Sequence, residues 1–281
     1  MRENDFGTRL RSAIDARGPL CVGIDPHPGL LSAWGLPDDV IGLERFALTC
    51  VEVLAGQVAV LKPQSAFFER HGSRGVAVLE RVLAQCRAAG ALTLLDVKRG
   101  DIGSTMLAYA QAYLDPASPL RADALTVSPF LGYESLRPAL DLADQHGAGV
   151  FVLALTSNAE GADVQHAQRD QVPVARAIAL AAAADNAGAA DLGRVGLVVG
   201  ATVGAAVADL GIDLAATRSA LLAPGIGAQG ATAADLARVF GAARRNVLPS
   251  SSREVLAAGP APSGLADAAR RTVDAMATAL A

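Results

Sequence analysis

The sequence predicts a single (β/α)8 TIM barrel with an N-terminal helix covering the barrel bottom. Three observations predict it. Eight short apolar runs recur at spacings of roughly 25 to 45 residues, as βα units require. Most are continuous rather than alternating, the pattern of parallel strands buried on both faces. Polar residues gather at or just past the ends of those runs, where a barrel opens its active-site mouth.

The expected strands are Leu20–Ile24, Val58–Leu61, Leu92–Val97, Ala124–Val127, Val150–Leu155, Val195–Val199, Ala220–Ala223 and Asn246–Leu248. Segments of helical composition lie between them, such as 44–54, 75–89, 135–145 and 174–187. A helix at about Phe6–Ala16 precedes the first strand and is placed under the barrel. No composition shift divides residues 1–281, so one domain is expected. A doubly wound open sheet is the other arrangement these elements permit, because closure is not written in the pattern.

Composition narrows the function. The chain has 281 residues, and 52% hydrophobic content excludes disorder. Sixty alanines point to much helix. Aromatics at 4% argue against stacking platforms for single-stranded nucleic acid. A net charge of −4 with no basic stripe argues against a phosphate-backbone binder, so no nucleic-acid partner is expected. Cys21, Cys50 and Cys86 are odd in number and lack CxxC spacing, which suits a reduced cytoplasmic protein. His27, His71, His146 and His166 are scattered and show no metal-binding spacing. The charged N-terminus lacks an apolar signal region, and no run of about 18 apolar residues exists. The expectation is a cytoplasmic protein without membrane contact.

The densest signal is Asp96-Val97-Lys98-Arg99-Gly100-Asp101-Ile102-Gly103-Ser104-Thr105. Asp96 and Lys98 stand two apart on a strand, so alternation points both to one face. Lys62 ends the neighbouring second strand, and Asp25 follows the first. Burying an unpaired charge costs several kcal/mol, so such a group must be an alternating network or a site. A strand-end salt bridge with Asp101 capping the next helix is the structural reading of Asp96–Lys98 alone. Four ionisable groups at three strand ends exceed what structure requires.

Pro224-Gly225-Ile226-Gly227-Ala228-Gln229-Gly230 matches G-x-G-x-x-G but stands late in the chain, with no acidic residue placed for a dinucleotide ribose. After the seventh strand of a barrel, the same glycines suit a phosphate cradle. Arg253, past the eighth strand, can supply a guanidinium fork. Together these loops predict a phosphorylated small-molecule substrate, with Gly225, Gly227 and Arg253 at its phosphate.

The chain resembles the orotidine 5′-phosphate decarboxylases along its whole length. The stretch 96–105 is similar to that family's D-x-K-x-x-D-I-x-x-T signature. Gly23-Ile24-Asp25-Pro26, Leu61-Lys62-Pro63-Gln64-Ser65-Ala66-Phe67-Phe68-Glu69 and Ala223–Gly230 support it. The Arg-Gly-Asp-Ile-Gly-Ser-Thr version looks like the longer bacterial branch; the shorter branch usually has Pro-Asn where this chain has Gly103-Ser104. The resemblance implies a cofactor-free conversion of orotidine 5′-phosphate to UMP in pyrimidine biosynthesis. It assigns Asp25 and Lys62 to the ribose hydroxyls, and Asp96 and Lys98 to the reacting carbon. It sends Asp101 and Thr105 across a homodimer interface into the partner's site. It makes Ser135 the pyrimidine amide contact, Gln165 a residue of a mobile cover over 157–171, and Arg253 the phosphate arginine.

The mechanism follows from the residue types. Loss of CO2 leaves a carbanion that no ring carbonyl delocalises well, so stabilisation must be electrostatic and preorganised. Lys98 can stabilise that carbanion and then protonate it. Related barrels sharing D-x-K-x-x-D use Mg²⁺ held by an acidic residue at the end of strand two. Here that position is Lys62, which cannot ligate a cation. A non-catalytic nucleotide-binding protein on the same fold is the remaining alternative.

Overall fold

The architecture was obtained as a computed structural model, which describes residues 5–225 and 233–281. The barrel strands are β1 (Cys21–Ile24), β2 (Val60–Pro63), β3 (Leu92–Arg99), β4 (Ala124–Val127), β5 (Gly149–Leu155), β6 (Val195–Val199), β7 (Leu221–Pro224) and β8 (Val247–Ser251). All pair in parallel with their sequence neighbours, and β1 closes on β8 through Cys21–Ser250 and Val22–Ser251. The eight expected strands are present, and closure excludes the open sheet. β4 and β6 have the expected bounds, and the others differ by one to three residues at one end or both. The largest shift is at β8, which runs on through Ser250 and Ser251 rather than ending at Leu248.

Two apolar layers hold this barrel. Inside it, each strand contributes one buried side chain to a single cluster (Cys21, Val60, Leu94, Ala124, Phe151, Val198, Leu222 and Leu248), with the partly buried Leu92 of β3 and Leu153 of β5 packed against it. Helix α1 (Phe6–Arg17) closes the bottom as expected, adding Phe6, Leu10 and Ile14 to that cluster. Phe6 meets Phe151 edge to face at 5.9 Å, a favoured aromatic geometry. Outside, the strands' other faces pack against helices such as α2 (Val40–Leu54), α3 (Gly72–Ala88) and α4 (Gly103–Leu114). Asp39 starts α2 by accepting from the amides of Ile41 and Gly42.

Side chains on a strand alternate between faces. Two residues beyond the apolar plug, the inward side therefore carries Gly23, Lys62, Asp96, Thr126 and Ser250. The barrel thus changes from dry to charged within one layer, at the ends where β1 to β4 and β8 meet.

The segment after β5 is more ordered than a plain cover loop. It holds a 3-10 turn (Ala159–Gly161), a short helix (Ala162–Gln165) and a two-stranded ribbon pairing Gln168–Arg169 with Val172–Pro173. Asp170 and Gln171 join the ribbon with positive φ values of 53° and 65°, the tight-hairpin pattern that matches strand twist. Its alternation is too short to read from sequence.

Candidate active site

Lys62 and Asp96 are the buried centre of the charged layer. Lys62 Nζ donates to Asp96 Oδ2 at 3.1 Å, and both side chains are 8% exposed. Lys98 Nζ donates to the other carboxylate oxygen, Oδ1, at 2.6 Å, with its side chain 44% exposed. One carboxylate thus bridges two ammonium groups. Burial penalises the Asp96 carboxylate, but Lys62 and Lys98 outweigh that cost and pull its pKa down to about 2. Burial likewise works against the Lys62 ammonium, yet Asp96 and Asp25 reverse it and hold the pKa above its usual value. Lys62 and Asp96 are therefore both charged near neutral pH.

The expected geometry of Asp96 and Lys98 needs correction. Simple strand alternation does not bring them together, because β3 is bulged there: its register with β4 shifts between Leu95 and Arg99. Lys98 has φ of +47°, a left-handed backbone rarely taken by a residue with a side chain. The amides of Val97 and Lys98 both donate to Thr126 Oγ1 at 3.0 Å. Thr126 in turn donates to Asp96 Oδ1 at 2.8 Å. Sequence reasoning missed Thr126. Its signal was a lone hydroxyl inside the apolar run Ala-Leu-Thr-Val, next to the strand that carries Asp96.

Asp25 stands at the end of β1, with its Oδ1 buried and without a protein partner. Gly23 allows this arrangement: a Cβ there would fall 2.0 Å from Ser252 Oγ and 2.9 Å from Asp25 Oδ2. The ends of β1 and β8 thus meet only because residue 23 lacks a side chain. An orphaned buried carboxylate oxygen beside an ammonium is ready to accept from a ligand hydroxyl.

The family model described as "Orotidine 5′-phosphate decarboxylase / HUMPS family" matches residues 18–268. The chain belongs to this family. An orotidine 5′-phosphate decarboxylase of Streptomyces coelicolor is 63% identical over 268 residues, 95% of either chain. The crystal structure of a Streptomyces avermitilis chain assigned to the same enzyme superposes with a TM-score of 0.94 at 60% identity, covering 98% of this chain and 96% of that one. The Leishmania donovani OMP decarboxylase superposes at 0.78 with 29% identity, covering 98% and 99%.

The remaining residues that the family resemblance singled out, so far as they are described, lie in the segments that follow β3, β4, β5, β7 and β8. Asp101 does not join the Lys62–Asp96–Lys98 network; its Oδ1 accepts from the Ile102 amide at 2.8 Å. Thr105 is exposed on the first turn of α4. Gly225 follows β7 with φ of +103°, which only glycine takes freely. Gly227 lies outside the described residues. Arg253 is exposed at the start of the short helix after β8.

Two expected contacts are already occupied. Ser135 Oγ donates to the Gly132 carbonyl at 2.7 Å, closing the turn that starts the 3-10 segment Tyr133–Leu136. Gln165 holds Thr156 with both ends of its amide: Oε1 accepts from the Thr156 amide at 2.9 Å, and Nε2 donates to Thr156 Oγ1 at 2.7 Å. Gln165 nevertheless lines a cavity of about 430 Å³ with Ser128, Leu153, Thr156 and Ile178, whereas Ser135 does not. Sequence reasoning also missed Glu69, whose carboxylate accepts from Arg99 and Ser65 at 2.6 and 2.5 Å and braces the residue after Lys98. Among the described residues, no group of three His, Cys, Asp or Glu could hold a metal ion.

Proposed function

We propose that this chain is an orotidine 5′-phosphate decarboxylase, a carboxy-lyase that forms UMP and CO2 in pyrimidine biosynthesis, with Lys98 as its proton donor. One observation carries the reading: the Lys98 side-chain nitrogen hydrogen-bonded to the buried Asp96 carboxylate at the mouth of the barrel. The bond from the pyrimidine C6 to the carboxylate breaks, and its electron pair stays on C6. Lys98 Nζ faces that carbanion, stabilises it, and transfers a proton to it. The neutral amine then regains a proton from water. Asp96 holds Lys98 in place and carries negative charge close to the departing carboxylate.

In this reading Asp25 and Lys62 take the ribose hydroxyls, and the buried, unpartnered Oδ1 of Asp25 supports it. Gly225, Gly227 and Arg253 serve the phosphate, with Ser135 and Gln165 offered for the base. Phosphate binding far from C6 supplies energy that can be spent on closing the site. The chemistry asks for no cofactor, and one barrel domain carries it.

The active species in this reading is a homodimer. Ile102, Leu107, Phe130 and Leu131 are large exposed apolar residues in the segments that follow β3 and β4, Ile102 next to Asp101 and Leu107 two residues past Thr105 in the chain, with Phe130 76% exposed. Covering them would present Asp101 and Thr105 to a second copy. No described helix is long and apolar enough to cross a membrane. The three free, buried cysteines suit a reducing cytoplasm.

The test is the loss of orotidine 5′-phosphate absorbance on adding the purified chain treated with EDTA. Turnover that survives chelation supports the reading. Turnover that vanishes and returns with Mg²⁺ points to the sugar-phosphate relatives instead. No turnover under either condition points to a binding protein.

A further inference from the structure

We propose that Thr126 is the positioning residue for Lys98: its hydroxyl, in place of the strand ladder, fixes the backbone from which the ammonium is aimed. The inference rests on the decarboxylase reading above. Leu95 pairs with Leu125 and Arg99 with Val127, so Asp96, Val97 and Lys98 all fall opposite Thr126 alone. Three residues cannot share one residue's peptide groups in a regular parallel ladder. The donors left over must find another acceptor, because buried backbone N–H groups are paired almost without exception.

A hydroxyl offers one proton and two lone pairs. Thr126 uses all three. The lone pairs take the Val97 and Lys98 amides, and the proton goes to Asp96 Oδ1. That oxygen is also the one that accepts from Lys98 Nζ. One side chain thus ties down the start of the Lys98 side chain through its amide and the far end through Asp96.

Two features make the tie stiff. Thr126 is 1% exposed, so water has little access to replace its hydroxyl. Its β-branched side chain is also restricted at χ1. The left-handed Lys98 backbone is strained for a non-glycine residue and persists only where the surroundings over-determine it. Without the hydroxyl, Lys98 can relax toward an ordinary backbone conformation, carrying Nζ away from the reacting carbon. A misplacement of about 1 Å is enough to cost roughly 100-fold in rate.

The experiment compares Thr126→Val, which keeps the shape and removes the hydroxyl, with Thr126→Ser, which keeps the hydroxyl. Steady-state turnover of orotidine 5′-phosphate should show kcat lowered about 10- to 100-fold in Thr126→Val. KM should stay within about threefold, because none of the Thr126 hydrogen bonds goes directly to a group offered for phosphate or ribose. Thr126→Ser should stay within about threefold of the parent in both. A Thr126→Val kcat equal to the parent's overturns the proposal, as does an equal fall in Thr126→Ser. Should Thr126→Val fail to fold, amide hydrogen exchange in the unmodified protein decides. Protection of the Val97 and Lys98 amides like that of neighbouring ladder amides supports the proposal; exchange at solvent-like rates overturns it. A parent chain with no turnover would instead sink the decarboxylase reading itself, a result separate from any of these.

Discussion

Replacing Asp96 with Asn removes the negative charge between two ammonium groups while keeping an oxygen that can accept from Thr126. The two lysines should respond differently. Lys98 is 44% exposed and can turn to water, and exposed pairs are worth about 0–1 kcal/mol. Lys62 is 8% exposed and has no such escape. Breaking a buried pair by removing one partner costs about 3–5 kcal/mol, because the charge left behind is uncompensated. Asp25 still faces Lys62 and offsets part of the loss, so the lower end, about 3 kcal/mol, is expected. For a chain of this size that lowers Tm by roughly 6–12 °C. The pH dependence carries the sharper test. In the parent, the folded-state pKa of Lys62 lies above its unfolded value of about 10.4. Its contribution is complete below that value and is lost as pH rises through the folded pKa. In the variant, burial acts with less opposition and the folded pKa drops below the unfolded one. Stability should then increase as pH climbs toward about 10, and the gap to the parent should narrow. Urea unfolding at pH of about 7 and about 9.5 measures both. A deficit below about 1 kcal/mol at the lower pH would refute the buried-pair argument, as would one that does not shrink at the higher pH. The double variant Lys62→Met with Asp96→Asn should regain most of the stability and no activity.

Lys98→Ala should abolish turnover and leave Tm within a few degrees of the parent, since its side chain is half exposed and its pair with Asp96 adds little to folding; turnover within tenfold of the parent would remove Lys98 as proton donor. If the proposed dimer shares its sites, mixing Lys98→Ala with Asp101→Ala subunits should restore activity to about half that of the parent, because one site then carries both lesions and the other neither. No recovery in a verified heterodimer would place Asp101 in its own subunit's site.

The sequence by itself determined the strands and the charges that belong together. Each barrel strand is a local run of apolar residues, and burial on both faces leaves a mark that needs no partner to be read. Asp25, Lys62, Asp96 and Lys98 were legible for a related reason: ionised groups at the ends of such runs conflict with burial unless they meet one another. The segment after β5 was harder, since Gln165 and Thr156 satisfy each other across nine residues and that pairing leaves no pattern. Only the tertiary structure decided the register between β3 and β4. Register is a relation between strands, set by how two buried faces interlock, and a strand's own residues do not state it. It is the register that leaves Asp96, Val97 and Lys98 against Thr126, turns Lys98 left-handed, and converts an ordinary strand threonine into the acceptor of two amides.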